Sequence, residues 1–229
     1  MVGIFDSGAG GEETLSEFRK MRPDADVCFF ADRENAPYGT KSRAELDYLV
    51  ERGLGKIKDF GASRILIACC TASTVFDGLP SELRKISIPI IDKTAQAAIL
   101  LSQGKRIGVI STEATYNSGA FVKALRGLCG CAYVLPAYSG ELVSLAEAGY
   151  SDENLGSEHL DAIRRALVPL AGRDLDTVIL GCTHFSRFEK TVEKILGVRT
   201  VNSARVGAMA LALGRPCDIG NDRLTYNIK

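Results

Sequence analysis

Two cysteines stand in matching places. Cys69 follows the run Ile65-Leu66-Ile67-Ala68, and Cys182 follows Val178-Ile179-Leu180-Gly181, with Thr71 and Thr183 just beyond. A thiol is an acid and a thiolate a soft base. A pair set on opposite faces of one carbon could take a proton from one side and return one from the other, inverting a stereocentre without a cofactor. A free thiol titrates at about 8.5 and is only about 3% ionised at neutral pH, so its neighbours must assist. A helix start beside Cys69 favours the thiolate. His184, two residues after Cys182, can exchange a proton with it, and Asp6 can do so for the other thiol. Position alone favours reading His184 as a residue capping or packing at a strand end. A cysteine after a buried strand is ordinarily a small apolar side chain, which is the reading for Cys28, Cys129, Cys131 and Cys217.

Positioning these groups requires strands whose ends converge. Strands are expected at Val2–Phe5, Asp26–Ala31, Arg64–Ala68, Pro89–Asp92, Arg106–Ile110, Ala132–Leu135 and Thr177–Leu180. Helices are expected up to about Arg22, from a Ser42 cap to about Phe60, from Thr71 to Phe76, and from about Glu153 to Ala171. The strands are nearly continuous in apolar residues, which fits parallel sheets covered on both faces. Ile4-Phe5-Asp6-Ser7 is echoed by Val109-Ile110-Ser111-Thr112, as Cys69 is by Cys182, so two α/β lobes of related topology are expected. In such sheets ligands sit beyond the carboxyl ends of the strands. The turn Gly8-Ala9-Gly10-Gly11 is not a G-x-G-x-x-G loop and lacks an acidic residue placed for a ribose. Its backbone N–H groups could hold a carboxylate, or it is a plain tight turn.

Composition narrows the class. Of 229 residues, 46% are hydrophobic and 24% charged, and 28 basic side chains cancel 28 acidic ones. That is a globular chain whose main partner is neither nucleic acid nor an anionic membrane surface. No apolar run reaches a bilayer span. Seven cysteines, an odd number, and a start at Met1-Val2-Gly3-Ile4 without a leader lead us to expect reduced thiols in the cytoplasm. With no C-x-x-C pair and only His159 and His184, neither a metal nor another cofactor is expected.

Four motifs then stand out together: Asp6-Ser7-Gly8-Ala9-Gly10-Gly11, Pro37-Tyr38-Gly39, Cys69-Cys70-Thr71-Ala72-Ser73 and Gly181-Cys182-Thr183-His184-Phe185. In this order, over nearly the whole chain, they resemble the aspartate/glutamate racemase superfamily, its cofactor-independent glutamate racemases in particular. The resemblance implies two Rossmann-like lobes with mostly parallel sheets and an active site in the cleft between them. The first lobe would be residues 1–92 plus 205–229, the second 93–204. Cys69 and Cys182 would be the acid/base pair, with Asp6 assisting the first and His184 the second. Glu147, alternatively a solvated helix residue, would also support Cys182. Ser7, Pro37, Tyr38, Gly39, Cys70, Thr71, Thr112, Thr115 and Thr183 would bind substrate, with Asp32 and Ser73 nearby. The implied partner is glutamate, converted to D-glutamate for peptidoglycan, and the implied assembly is a homodimer. Three departures stand against the family pattern: Cys70 replaces an asparagine that contacts substrate, Phe185-Ser186 replaces Tyr-Pro, and Asn202 stands near a usual aspartate. Aspartate, another small acidic or cyclic substrate, or a non-catalytic ligand-binding role are the alternatives. Adjacent Cys69 and Cys70 also raise the expectation of an inactivating vicinal disulfide.

Overall fold

The computed structural model describes residues 1–213; Cys217 and the remainder of 214–229 lie outside the described residues. Strands β1 (Val2–Asp6), β2 (Val27–Ala31), β3 (Arg64–Ile67) and β4 (Ser87–Pro89) form one parallel sheet in the order β2-β1-β3-β4. Strands β5 (Arg106–Ser111), β6 (Tyr133–Tyr138), β7 (Thr177–Gly181) and β8 (Arg199–Asn202) form a second in the order β6-β5-β7-β8. The expected pair of parallel α/β units is therefore present, and both sheets have the same strand order. In each, the chain leaves the two inner strands in opposite directions, which opens a crevice at their carboxyl ends. Asp6 and Cys69 sit at that point in the first sheet, Thr112 and Cys182 in the second.

Each sheet has an outer and an inner apolar face. Helix α1 (Gly10–Met21) follows β1, and α2 (Arg43–Asp59) covers the outer face of the first sheet. Ser42 caps α2 as expected: its Oγ accepts from Glu45 N at 3.3 Å, while the Glu45 carboxylate accepts from Ser42 N at 2.8 Å. The α2 stripe Leu46, Leu49, Val50, Leu54 and Ile57 packs with Phe5, Ile65 and Ile67. On the second sheet the outer cluster joins Ile110, Val178 and Leu180 to α8 (Gly140–Glu147), α9 (Ser157–Leu167) and α10 (Glu189–Leu196). The inner faces share one cluster. Ile4 and Leu66 meet Ile107, Val109, Ile179 and Val201 through α5 (Ile90–Leu101) and α11 (Ser203–Ala212), the latter packed on α1. Two short helices, α3 (Cys70–Ser73) and α4 (Ser81–Ile86), follow β3; α6 (Glu113–Ser118) and α7 (Ala120–Leu128) follow β5. No described helix is long and apolar enough to cross a membrane.

Several sequence expectations need correction. Pro89–Asp92 is not a strand: β4 ends at Pro89, paired with Ile67, and Ile90-Ile91-Asp92 opens α5. Ile90 N donates to Ser73 Oγ at 3.1 Å instead of to a ladder, and Asp92 sits in the first turn, where negative charge is favoured. A short apolar run does not distinguish a buried helix from a strand. The helix from Thr71 to Phe76 is a single turn at Cys70–Ser73, because Gly78 and Pro80 and the branched Thr74 and Val75 follow closely. The stretch 153–171 is helical only over Ser157–Leu167. Strand β6 runs on through Pro136 to Tyr138, tolerated because it is the sheet's outermost strand.

Close approach of α2 to β1 depends on Gly53, where a Cβ would enter the Phe5 ring, whereas a Cβ on Gly55 meets nothing within 4 Å. Gly53→Ala is expected to destabilise by about 1–3 kcal/mol through overpacking. Gly55→Ala is expected to stabilise by about 0.5–1 kcal/mol by lowering unfolded-chain entropy. Urea denaturation of the two variants checks both signs.

Candidate active site

At the end of β1, Asp6 is fully buried. Its Oδ1 accepts from Gly8 N at 2.9 Å, and its Oδ2 from Thr183 Oγ1, across the cleft, at 3.3 Å. The glycine turn thus spends its N–H groups on the chain's own carboxylate. Gly10 has a second use: a Cβ there would strike Thr183 Oγ1 and lie 3.0 Å from His184 Nδ1. A side chain at 10 would hold the two sheets' ends apart. Burial pushes the Asp6 carboxyl up to about 7, against the Gly8, Thr183 and Gly11 hydrogen bonds that pull it down.

Cys69 ends β3 and caps α3. Its Sγ accepts from Ser7 Oγ at 3.3 Å and from Ala72 N at 3.5 Å. Burial, and then the nearby Asp6, push this thiol up to about 11. Cys182 is also buried and held well above its ordinary value, first by burial and then by Cys69, while the His184 N–H opposes the shift. Its Sγ lies 3.7 Å from His184 Nδ1. Burial and then the Arg187 guanidinium push the His184 imidazole down to about 4. At neutral pH both thiols therefore rest protonated and His184 rests neutral. Cys69 and Cys70 are both free, and they face different apolar clusters. A bond between them would break the Ser7 and Ala72 contacts of Cys69.

The two thiols line one cavity. From the first sheet come Ser7, Gly8, Cys69, Cys70, Thr71 and the loop Ala36–Gly39. From the second come Thr112, Val143, Glu147, Cys182, Thr183 and His184. Asp6 and Thr115 are absent from the lining and stand one layer behind. Thr115 joins Thr71 at 3.1 Å and Thr112 at 2.9 Å, and Thr71 meets Thr112 at 3.0 Å, a hydroxyl triangle that bridges the sheets. Glu147 is exposed at the rim. Ser73 lies behind the site, its Oγ donating to Ile67 O at 3.1 Å. The open space is only about 30 Å³, which holds a couple of waters at most. A substrate enters only if the two sides part. A larger groove of about 630 Å³ runs past Asp77, Asp92 and Lys123, but no thiol or imidazole lines it.

Tertiary structure gives Asp32, expected only as a neighbour of the site, a definite role, and adds Asn35, Arg52 and Arg187, which no sequence pattern marked. Asp32 accepts from Tyr38 OH at 2.8 Å and from Asn35 Nδ2 at 2.9 and 3.0 Å, with Arg52 at 3.6 Å. This clamp fixes the Pro37–Gly39 loop over the cavity. Burial, then the Asp32 hydrogen bond, keep the Tyr38 hydroxyl protonated. Arg187 places Nε 3.0 Å from Glu13 of α1 and donates to Ala146 O at 3.5 Å, tying the His184 segment to both neighbours. Among the described residues no three His, Cys, Asp or Glu side chains gather to hold a metal ion.

Because folding raises the Asp6 carboxyl from 3.8 to about 7, the folded state disfavours its charged form. The penalty is absent below 3.8, grows through the interval and is complete above about 7. Asp6→Asn is therefore expected to gain stability relative to the parent chain as pH rises from about 4 to 8, by a few kcal/mol at order of magnitude. Thermal melts across that range test it; a constant gap would mean that burial does not set this group.

Comparison with known proteins points the same way. The sequence profile of the Asp/Glu/hydantoin racemase family matches residues 13–211. A glutamate racemase of Desulforudis audaxviator is 37% identical over 201 residues, 87% of this chain and 72% of that protein. The crystal structure of a Bacillus anthracis glutamate racemase isoform superposes with a TM-score of 0.83 at 30% identity, covering 93% of this chain and 80% of that one. The Francisella tularensis glutamate racemase, solved with D-glutamate, gives 0.83 at 28% identity, covering 92% and 78%.

Proposed function

The chain belongs to the Asp/Glu/hydantoin racemase family, and on that premise we propose that it interconverts L- and D-glutamate by a two-thiol exchange of the α-proton. The carrying observation is the pair of free thiols, Cys69 and Cys182, at equivalent inner-strand ends of two sheets and lining one cavity. In each direction one sulfur, as thiolate, removes the Cα proton, and the other, as thiol, delivers a proton to the opposite face. The electron pair of the broken C–H bond returns in the new one, so no redox cofactor takes part.

The resting electrostatics support substrate-coupled activation. Both thiols are held protonated by burial, so each becomes a thiolate by giving its proton to its neighbour, Cys69 to the Asp6 carboxylate and Cys182 to His184, as the substrate ammonium enters and offsets the new negative charge. Ser7 Oγ and Ala72 N stabilise the Cys69 thiolate, and the His184 N–H that of Cys182. His184, neutral and 3.7 Å away, is placed to accept the Cys182 proton. Asp6 acts through Cys69 and Thr183 rather than by touching substrate. The hydroxyls of Ser7, Thr71, Thr112 and Thr183 and the Tyr38–Gly39 loop bind the carboxylates, and the developing charge at Cα is met by donors fixed in place. Glu147, at the rim and near Cys182, completes that wall. We assign residues 1–92 with 205–213 to the first functional unit and 93–204 to the second; the expected continuation of the first to 229 lies outside the described residues. The reduced thiols this chemistry needs support a cytoplasmic setting, where D-glutamate serves peptidoglycan synthesis and the enzyme assembles as a homodimer; light scattering tests that assembly.

The reaction is tested by NMR in D₂O. With reduced protein, L-glutamate should lose its Cα–H signal and its optical rotation together, and faster than L-aspartate. Retained Cα–H with every acidic amino acid would remove the proposal in favour of binding alone. Cys69→Ala and Cys182→Ala should each lower racemisation by about 10²–10⁴-fold while still binding glutamate.

Cys70 gives a further test of substrate recognition. It is buried and lines the cavity, and a thiol is a weak hydrogen-bonding partner. Cys70→Asn should lower the KM for glutamate by roughly 3–10-fold. An unchanged KM would show that position 70 does not meet substrate.

A further inference from the structure

Five of the six described cysteines fall into two groups by exposure, and half-buried Cys28 stands apart from both. Cys69, Cys70 and Cys182 are buried, and their thiols are pushed up by burial. Cys129 and Cys131 differ from these in exposure. Cys131 is exposed and Cys129 half-buried, and their sulfurs lie 3.2 Å apart. Local backbone produces this contact. Cys129 ends α7, its N–H bonded to Leu125 O at 2.9 Å, in an extended conformation with φ −146° and ψ 99°. Ala132 N then bonds Cys129 O at 3.0 Å, closing a turn with Gly130 and Cys131 at its centre. An added Cβ on Gly130 meets nothing within 4 Å, so the turn has room to adjust. The second sulfur is thus presented to the first by a turn that folding has already formed, and the outer sulfur is open to solvent.

We propose that Cys129-Gly130-Cys131 is a thiol–disulfide exchange site that takes small-molecule disulfides of the glutathione class and closes to an intramolecular disulfide. In the first step the Cys131 thiolate attacks one sulfur of the disulfide; the S–S bond breaks, a mixed disulfide forms on Cys131, and one thiolate leaves. In the second, the Cys129 thiolate attacks the Cys131 sulfur and expels the second small thiol. Two protein thiols are oxidised and one disulfide is reduced to two thiols, with their two protons transferred, so the exchange balances and an excess of small thiol reverses it. The Cys129 sulfur, by hydrogen bond and charge, pushes the Cys131 thiol up, with Lys105 opposing, so the 3.2 Å geometry and solvent access, not a lowered titration, carry the exchange. An exposed disulfide closing so short a loop belongs to the labile, reducible kind. The site therefore reacts in place of the buried thiols, which no small disulfide reaches in the closed chain. This proposal stands independently of the racemase reading.

The test uses the full chain, fully reduced and then exposed to glutathione disulfide without oxygen, followed by intact-mass and peptide mapping after alkylation of remaining thiols. The protein should lose the mass of two hydrogens, carry no glutathione, and map its bridge to Cys129 and Cys131 at least about tenfold sooner than any reaction at Cys69, Cys70 or Cys182. Cys129→Ser should instead hold one glutathione on Cys131, since the resolving thiol is gone. Cys131→Ser should stay unbridged, and Cys217→Ser should close like the parent. Absence of the bridge, glutathione retained on both cysteines, a bridge to Cys217, or first reaction at a buried thiol would each overturn the proposal.

Discussion

The apolar layer shared by the two sheets fixes everything the cleft can do. Ile4 and Leu66 on one side and Ile107, Val109, Ile179 and Val201 on the other are buried against the same helices, α5 and α11. Each strand alternates its faces, so the register that sends Leu66 inward also sends Ile65 and Ile67 outward and sets where Cys69 projects. The same holds for Ile179 between Val178 and Leu180, ahead of Cys182. A one-residue slip in either inner strand would turn its thiol away from the cavity. Hydrophobic burial, which has no directional preference of its own, becomes directional here because the pleat converts it into a choice of face.

Within that frame several polar contacts run across the gap between the two sides. Asp6 of the first sheet meets Thr183 of the second, Thr71 meets Thr112 and Thr115, and Glu13 meets Arg187. These contacts close the cavity to about 30 Å³ and hold its walls in one relation. They are individually weak enough to break when the sides part. Gly10 permits this proximity by leaving out the one atom that would block Thr183. The glycine turn is thus neither a phosphate cradle nor only a tight turn: its N–H groups hold Asp6, and its missing Cβ admits the other sheet.

Burial governs the titration of every reactive group in the cavity. Low polarity keeps the Cys69 and Cys182 thiols protonated, lifts Asp6 toward neutrality and keeps His184 uncharged. A site so arranged carries little charge until a charged ligand enters it, and then every interaction is strengthened by the same exclusion of water. The surface pair Cys129 and Cys131 owes its chemistry to proximity and exposure, and the neighbouring sulfur rather than burial is the first cause that pushes the Cys131 thiol up.

What the sequence by itself determined is local or periodic. The aliphatic runs ahead of Cys69 and Cys182, the echo of Ile4–Ser7 in Val109–Thr112 and the Ser42 cap each follow from short-range pattern, and together they carried the parallel α/β class and the strand-end residues Ser7, Cys69, Thr112, Cys182 and His184, whereas Pro37–Gly39, Cys70 and Glu147 were implied only by the family resemblance. The fate of Ile90 and Ile91 was not legible, because an apolar run is equally at home in a buried strand and a buried helix; only packing against α11 and the bond to Ser73 settles it. Arg187 and Val143 were likewise invisible, since their partners lie far away in the chain or on another element, and of the Asp32 clamp only the members Asp32 and Tyr38 were anticipated, not the bonds that join them. Asp6 was found, but its place behind the lining, joined to Thr183, depends on how two sheets meet. Chemistry that rests on residue type and strand position can be read along the chain. Chemistry that rests on distance between separate elements exists only once the shared core has brought them together.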